Sequence, residues 1–343
     1  MNHRQLGRSG LRVSPLCLGT MMFGGPTNEA ESQAIIASAR DAGINFIDTA
    51  DTYVQGESER VVGRCIRTER DRWVLATKLC NRMSDDPNGG GLGRKWVMRA
   101  CEASLRRLGT DHIDVYYLHK EDHDTPLAET VRAMADLVHA GKIRYFGVSN
   151  YRSWRVAEIC WLCDRYGIDR PVVSQPYYNA MNRMPEIEHL PACQHYGLGV
   201  VPYSPLARGV LTAKYRPDAE PEAGSRAARG DRRMMQTEWR SESIEIAQRI
   251  REHAEARGAT PVDIAIGWLL NNALVTAPVT GPRTMEQWQA YLGALDYDYG
   301  AEDEALITSL VPPGHPSTPG YTDPQYPIEG RVSRVGTAPV TDR

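Results

Sequence analysis

The chain has 343 residues and a formal net charge of −3, so it can bury a large core and carries no basic excess that would seek nucleic acid or an anionic membrane. No stretch approaches the ~18 apolar residues of a spanning helix, and the opening "MNHRQLGRSGLRVSPLCLG" lacks the apolar run and A-x-A site of a secretory signal. The seven scattered cysteines fit reduced thiols and not a disulfide framework, and together these features predict a cytoplasmic protein with no membrane or nucleic-acid partner.

In chain order, "RQLGRSGLRVS" predicts a β-hairpin turning at Arg8-Ser9-Gly10. Apolar runs then predict strands over 16–18, 45–48, 73–78, 115–119, 143–148, 172–175, 200–203 and 276–279. Amphipathic stretches predict helices over 29–42, 58–67, 95–108, 127–140, 153–166 and 186–196, then 241–257 and 261–271, then 285–294 and a short one at 302–310. Strands alternating with helices, each strand apolar on both faces, predict a single (β/α)8 TIM barrel over residues 1–310. The stretch 311–343 is rich in Pro and Gly and reads as a partly irregular C-terminal extension, with Tyr321 and Tyr326 placed to pin it and its far end unordered.

Two gaps are long, 80–94 and 204–238. Both follow strands, which places them over the catalytic face of a barrel. The second holds Arg216, Arg226, Arg229, Arg232 and Arg233 and reads as too polar for core. Its alternatives are a solvated insertion or a strap over a phosphate group.

Four polar residues end or follow short apolar runs: Asp48 and Tyr53 in "NFIDTADTYVQGESE", Lys78 in "WVLATK" and His119 in "IDVYYLH". Carbonyl reduction needs a proton for the developing alkoxide. A phenol, with an ordinary pKa near ~10, is a sluggish acid at neutral pH. A nearby ammonium favours the phenolate and is expected to lower that value. Lys78 can supply the charge, Asp48 can hold Lys78, and His119 can orient a substrate oxygen. Met22, Phe23, Val54 and Lys120 are expected as pocket walls, with the first two favouring an apolar or ring-shaped substrate.

The chain contains no G-x-G-x-x-G after a strand, no G-x-x-x-x-G-K-[ST], no H-E-x-x-H and no G-x-S-x-G. This weighs against a Rossmann dinucleotide domain, a P-loop enzyme, a zincin and an α/β-hydrolase. His119 and His123 do not share a predicted helix, so no metal site is expected. Cys160 and Cys163 form one C-x-x-C within "SWRVAEICWLCDRYG", where two small apolar residues on one helical face suffice as a reading.

The segments "LGRSGLRVSPLCLGT", "GINFIDTADTY", "VLATK", "DHIDVYYLH", "LVHAGKIRYFGVSNY", "SQPYYN", "VPYSPLARGVLTAKY" and "APVTGPRTMEQWQAYLGAL" run in order from about residue 4 to residue 295. In these the chain resembles the aldo-keto reductase family, in the style of its longer bacterial branch, which also includes channel-associated β-subunits. The resemblance implies a (β/α)8 barrel that binds NADP(H) without a Rossmann domain, and a catalytic tetrad falling on Asp48, Tyr53, Lys78 and His119. It implies that Ser149, Asn150 and Gln175 hold the nicotinamide carboxamide and that Tyr203 stacks on the ring. Ser204, Leu206 and Gly209 are candidates for close backbone approach to the pyrophosphate. Thr280 and Gly281 precede a helix N-terminus that favours anions. Arg283 resembles the residue that pairs with the adenosine 2′-phosphate, and Gln287 fits the adenine side. The chain departs from the family at Tyr291, where Asn is frequent. The implied activity is NADPH-dependent interconversion of a carbonyl compound and an alcohol. The alternative is an NADP(H)-binding regulatory or redox-sensing subunit with slow chemistry. Substrate, reaction direction and oligomeric state are not legible.

Overall fold

The computed structural model describes residues 1–217 and 219–326. An antiparallel hairpin comes first, β1 (Arg4–Gln5) against β2 (Arg12–Val13). Eight parallel strands follow: β3 (Cys17–Gly19), β4 (Phe46–Asp48), β5 (Val74–Leu79), β6 (Ile113–Leu118), β7 (Ile143–Ser149), β8 (Val173–Gln175), β9 (Gly199–Val200) and β10 (Val279–Thr280). From β3 to β9 each strand pairs with the next in sequence, and β10 pairs with β3. The ring closes where the chain entering β10 meets β9: Thr276 N–H donates to the Val200 carbonyl at 2.7 Å and Val279 N–H to that of Pro202 at 2.8 Å. The architecture is a (β/α)8 barrel.

Helices α1 (Glu29–Asp41), α2 (Glu57–Ile66), α3 (Arg94–Leu108), α4 (Leu127–His139), α5 (Ser153–Tyr166) and α6 (His189–Tyr196) each connect successive strands. Between β9 and β10 lie α7 (Arg232–Thr237), α8 (Ser241–Ala256) and α9 (Pro261–Asn271); α10 (Met285–Gly293) and α11 (Ala301–Leu310) follow β10. Local signals account for several ends. Thr260 and Asp263 form a capping box with Pro261 in the first turn of α9. Gly109 and Gly167 end α3 and α5 in the left-handed conformation.

Prolines explain where the elements fall short of expectation. The 200–203 strand ends at Val200, because Pro202 has no N–H for the ladder. The last strand begins only at Val279, after Pro278. The 186–196 helix is a 3₁₀ turn at Met184–Glu186 followed by α6, with Pro191 confined to the first turn of α6.

Two apolar layers follow from the period-two alternation of strands. Leu75, Tyr116, Leu118, Phe146 and Val148 pack outward in one large cluster with the helices. Phe46, Val74, Ala76, Val115, Tyr117, Val173 and Val201 fill the barrel interior, joined by Leu6 and Val13 from the hairpin. The hairpin therefore plugs the lower end of the barrel. Gly7 has φ +55, and a Cβ there would meet the Val172 carbonyl at 2.2 Å.

The 204–238 segment differs most from expectation. It contains a 3₁₀ turn at Ala207–Thr212 and helix α7, and Leu211, Tyr215, Ala227 and Met234 are buried in the main core. It is a folded strap. The chain after α11 runs back over it without helix as far as it is described. Asp323 pairs with Arg233 at 2.6 Å, Tyr321 lies 3.9 Å under the Arg240 guanidinium, and Ser317 N–H donates to the Met181 carbonyl at 2.8 Å. The stretch expected to be unordered lies outside the described residues.

Candidate active site

The interior alternation continues upward to build the site. Asp48 stands two residues beyond Phe46, Lys78 two beyond Ala76, His119 two beyond Tyr117, and Gln175 two beyond Val173. Each polar side chain thus caps an apolar interior position at the C-terminal end of its strand.

Lys78 and Asp48 are both buried and joined by a short Nζ–Oδ1 contact. Lys78 Nζ also donates to the Thr49 carbonyl at 2.8 Å and approaches the Tyr53 hydroxyl at 3.3 Å. The second Asp48 oxygen accepts from Gln175 Nε2 at 3.1 Å. Burial alone would depress the Lys78 ammonium, but Asp48 and Tyr53 more than reverse this and hold it above the ordinary value. Lys78 is therefore charged. Tyr53 differs from expectation: burial raises its phenol above the ordinary value, and the lowering by Lys78 offsets only part of that. The phenol is held in its protonated, donating form. His119 is pushed well below its ordinary value by burial and by the charges of Lys78 and Lys120, so its ring is neutral. The Tyr53 and His119 rings meet edge to face with centroids 6.0 Å apart.

A second set lies across the opening. Ser149 Oγ donates to the Gln175 carbonyl at 2.9 Å, and Asn150 Nδ2 donates to the His119 carbonyl at 3.0 Å. Tyr203 donates its hydroxyl to Asn150 Oδ1 at 2.8 Å and stacks on Tyr177 with centroids 5.6 Å apart. Tyr177 in turn bonds the buried Glu238 of the strap.

One cavity of about 560 Å³ connects these groups. Its walls include Asp48, Tyr53, His119, Met22, Lys120, Ser149, Asn150, Gln175, Tyr203, Ser204, Leu206, Gly209, Gly281, Arg283 and Gln287. Two expected wall residues are not among them. Phe23 is fully buried and packs in the main core, so it does not reach the cavity. Val54 points to solvent, 37% exposed. Sequence reasoning missed Asn81, Arg208, Lys214, Gln325 and Tyr326, which also line it. Only the position of Arg208 and Lys214 just past β9 signalled them. Of the strap arginines, Arg226, Arg229 and Arg233 reach the cavity and Arg216 and Arg232 do not.

Away from the tetrad the cavity is cationic. Arg208, Lys214, Arg226, Arg229 and Arg283 line it, and among the described residues none of them makes an ion pair. Burial and the neighbouring Arg283, Arg226 and Arg229 lower Lys214; burial and Arg208 lower Arg226. Mutual repulsion without a carboxylate partner is costly, and an anion would relieve it. Such a wall fits a multiply phosphorylated cofactor, with Tyr203 and the Ser149, Asn150 and Gln175 side chains toward the tetrad end. Among the described residues no cluster of His, Cys, Asp or Glu could hold a metal ion, and no helix is long and apolar enough to cross a membrane.

The backbone around the opening is unusual. Val54 (φ 47), Gln55 (φ 54), Cys80 (φ 136), Asn150 (φ 56), Ser204 (φ 57), Ala207 (φ 46), Arg208 (φ 53) and Ala213 (φ 57) carry positive φ without being glycine. All follow the C-terminal ends of β4, β5, β7 or β9.

The model of the aldo/keto reductase family matches residues 15–312. The chain is 35% identical over 338 residues to the uncharacterized oxidoreductase YrpG of Bacillus subtilis, covering 94% of this chain and 99% of that one. It is 34% identical over 301 residues to a probable voltage-gated potassium channel subunit beta of Arabidopsis thaliana, covering 86% and 92%. It is 33% identical over 308 residues to the L-glyceraldehyde 3-phosphate reductase of Escherichia coli, covering 86% and 88%.

Proposed function

The chain belongs to the aldo/keto reductase family, and from this we propose that it interconverts an aldehyde or ketone and an alcohol with NADP(H), using Tyr53 as the proton donor. The observation that carries the reading is the Tyr53 hydroxyl 3.3 Å from a buried, charged Lys78, in a cavity that also presents Arg208, Lys214, Arg226, Arg229 and Arg283, none of them in an ion pair among the described residues. When bound, the nicotinamide supplies the hydride. The protein's own residues do the rest. Tyr53, held protonated, gives its proton to the carbonyl oxygen as that oxygen becomes a hydroxyl. The Lys78 ammonium stabilises the phenolate left behind, and Asp48 keeps the ammonium in place. Neutral His119 donates a hydrogen bond to the same oxygen and orients it. Alcohol oxidation runs these roles in reverse. Arg283 on the strap-facing wall, with Arg226 and Arg229, favours a 2′-phosphate and hence NADPH.

Tyr53→Phe tests the donor because it removes only the hydroxyl. It should bind NADPH near the wild-type affinity and lose at least ~100-fold in reductase rate. Most of the activity surviving in the variant would remove Tyr53 from the role. A second reading, a nucleotide-binding subunit with slow chemistry, draws on the relative named as a channel β-subunit. Steady-state turnover on a panel of aldehydes separates the two: multiple turnovers per second support the enzyme, and a single slow turnover per bound cofactor supports the subunit.

A further inference from the structure

His119 is neutral, and a neutral imidazole carries its hydrogen on one nitrogen only. Which nitrogen decides whether the ring can donate to a carbonyl oxygen. Two contacts fix the His119 main chain and one its ring. Its backbone N–H donates to the Leu79 carbonyl at 2.9 Å, and its carbonyl accepts from Asn150 Nδ2 at 3.0 Å. The third is Asn81, whose Nδ2 lies 3.2 Å from His119 Nδ1. With the amide nitrogen turned to the ring, Asn81 offers a hydrogen and Nδ1 accepts it with a lone pair.

Asn81 reaches this place because of a strained residue. β5 ends at Leu79, and Cys80 takes φ 136 with its side chain buried. The Cys80 carbonyl accepts from Gly91 N–H at 2.7 Å, which locks the turn. A non-glycine residue in that region is strained and persists where the surroundings demand it. The thiol is not the reason: burial pushes it up to about 12, and it stays inert. What the turn delivers is the next residue, Asn81, into the cavity wall.

We propose that Asn81 is a positioning residue that selects the tautomer of His119, holding Nδ1 bare through its amide so that the hydrogen resides on Nε2 and is available to the substrate oxygen. The tautomer part stands on the contact alone; the catalytic part rests on the carbonyl-reductase reading given above. No proton is consumed or released in this step, since the amide only fixes where an existing ring hydrogen sits.

The test uses the whole protein labelled with ¹⁵N at histidine, read by long-range ¹H–¹⁵N NMR without cofactor or substrate. The wild-type His119 ring should show a bare Nδ1 and a protonated Nε2. Asn81→Asp presents only acceptors and should draw a hydrogen onto Nδ1. At pH 8 the variant's reductase kcat should then fall on the order of 100-fold, the usual worth of one positioned donor. Acidification should restore much of it, because an imidazolium carries hydrogen on both nitrogens. The other titratable groups around the ring are Tyr53, Lys78 with Asp48, and Lys120, and Tyr326 lines the same cavity. These are unchanged in the variant, so a recovery at low pH unique to it reports the new carboxylate. Asn81→Leu, which keeps no polar contact, should show a mixed tautomer and an intermediate rate with no acid recovery. A protonated Nδ1 in the wild type, or a wild-type pH profile of kcat in Asn81→Asp, would overturn the proposal. If the wild type shows the bare Nδ1 but no reductase turnover, the tautomer assignment stands and the reductase reading falls.

Discussion

At the scale of single residues the site separates groups that share charge from a group that has none to share. Asp48 and Lys78 are buried as a pair. Asp51, three residues beyond Asp48, is as deeply buried, and neither of its oxygens makes a hydrogen bond of ordinary geometry. Burial and the neighbouring Glu59 raise its carboxyl to about 8, opposed by Arg107, the Thr52 backbone and Lys78. Glu59 already holds the Arg107 guanidinium at 2.6 Å and accepts from Thr77 at 2.6 Å, so little is left for Asp51. The sign of the linkage follows. A carboxyl raised from 3.8 to about 8 in the folded state favours the fold below pH ~4, and that contribution is lost as pH rises toward 8. Asp51→Asn keeps the neutral shape and should flatten the dependence. Thermal unfolding across pH 5–8 checks this: the gap in Tm between variant and wild type should widen in favour of the variant as pH rises. A constant gap would show that the carboxyl ionises as readily in the folded protein as in the unfolded chain. Arg283 makes a different prediction. Losing a charge-assisted contact costs ~1.5–3 kcal/mol, so Arg283→Ala should bind NADPH roughly tenfold or more weakly with little change for NADH. Parallel fluorescence titrations of both cofactors measure it, and an unchanged preference would assign the 2′-phosphate to Arg226 or Arg229.

At the scale of elements the strap is the part most open to test. It is anchored by Met234 and Ala227 in the core and by the Arg233–Asp323 pair, yet Arg229 and Arg283 both donate to the Gly224 carbonyl, Arg283 at 3.2 Å. An anion seated among Arg208, Lys214, Arg226 and Arg229 would tie the strap further to the barrel. Saturating NADPH should therefore slow tryptic cleavage within residues 216–233, and release of the cofactor would then limit turnover. Equal cleavage rates with and without NADPH would leave the strap out of cofactor binding. This element also marks how far the sequence can be read. The strands were legible because apolar runs such as 73–78 and 115–119 have one physical meaning, and Lys78 and His119 stood out as polar residues closing them. The strap was not, because Ala227 and Met234 sit among charges and only the folded chain shows them as anchors. Asn81 was invisible for a related reason: its role depends on a backbone angle at Cys80 that no side-chain pattern announces. Phe23 misled because a large apolar residue beside a pocket residue reads alike whether it faces the cavity or the core.

At the scale of the whole molecule the two ends of the barrel do different work. The lower end is sealed by the hairpin, where Gly7 is pressed against the Val172 and Gly197 carbonyls and the Gly199 nitrogen. Gly7→Ala adds a methyl into that backbone and a left-handed alanine besides. It should cost at least ~2 kcal/mol and lower Tm by several degrees, while kcat on the same substrate stays at the wild-type value. A matching loss of kcat would show that the hairpin communicates with the site. The upper end has the opposite character. Eight non-glycine residues there hold positive φ, each at about 1–2 kcal/mol, a sum comparable with the ~5–15 kcal/mol that holds a typical protein folded. The mouth is then the first region to let go on warming, and relaxation there separates Tyr53, Asn150 and Ser204 before any helix is released. Heat should abolish catalysis at a lower temperature than it melts the barrel, and cooling from between those two temperatures should return the activity in full.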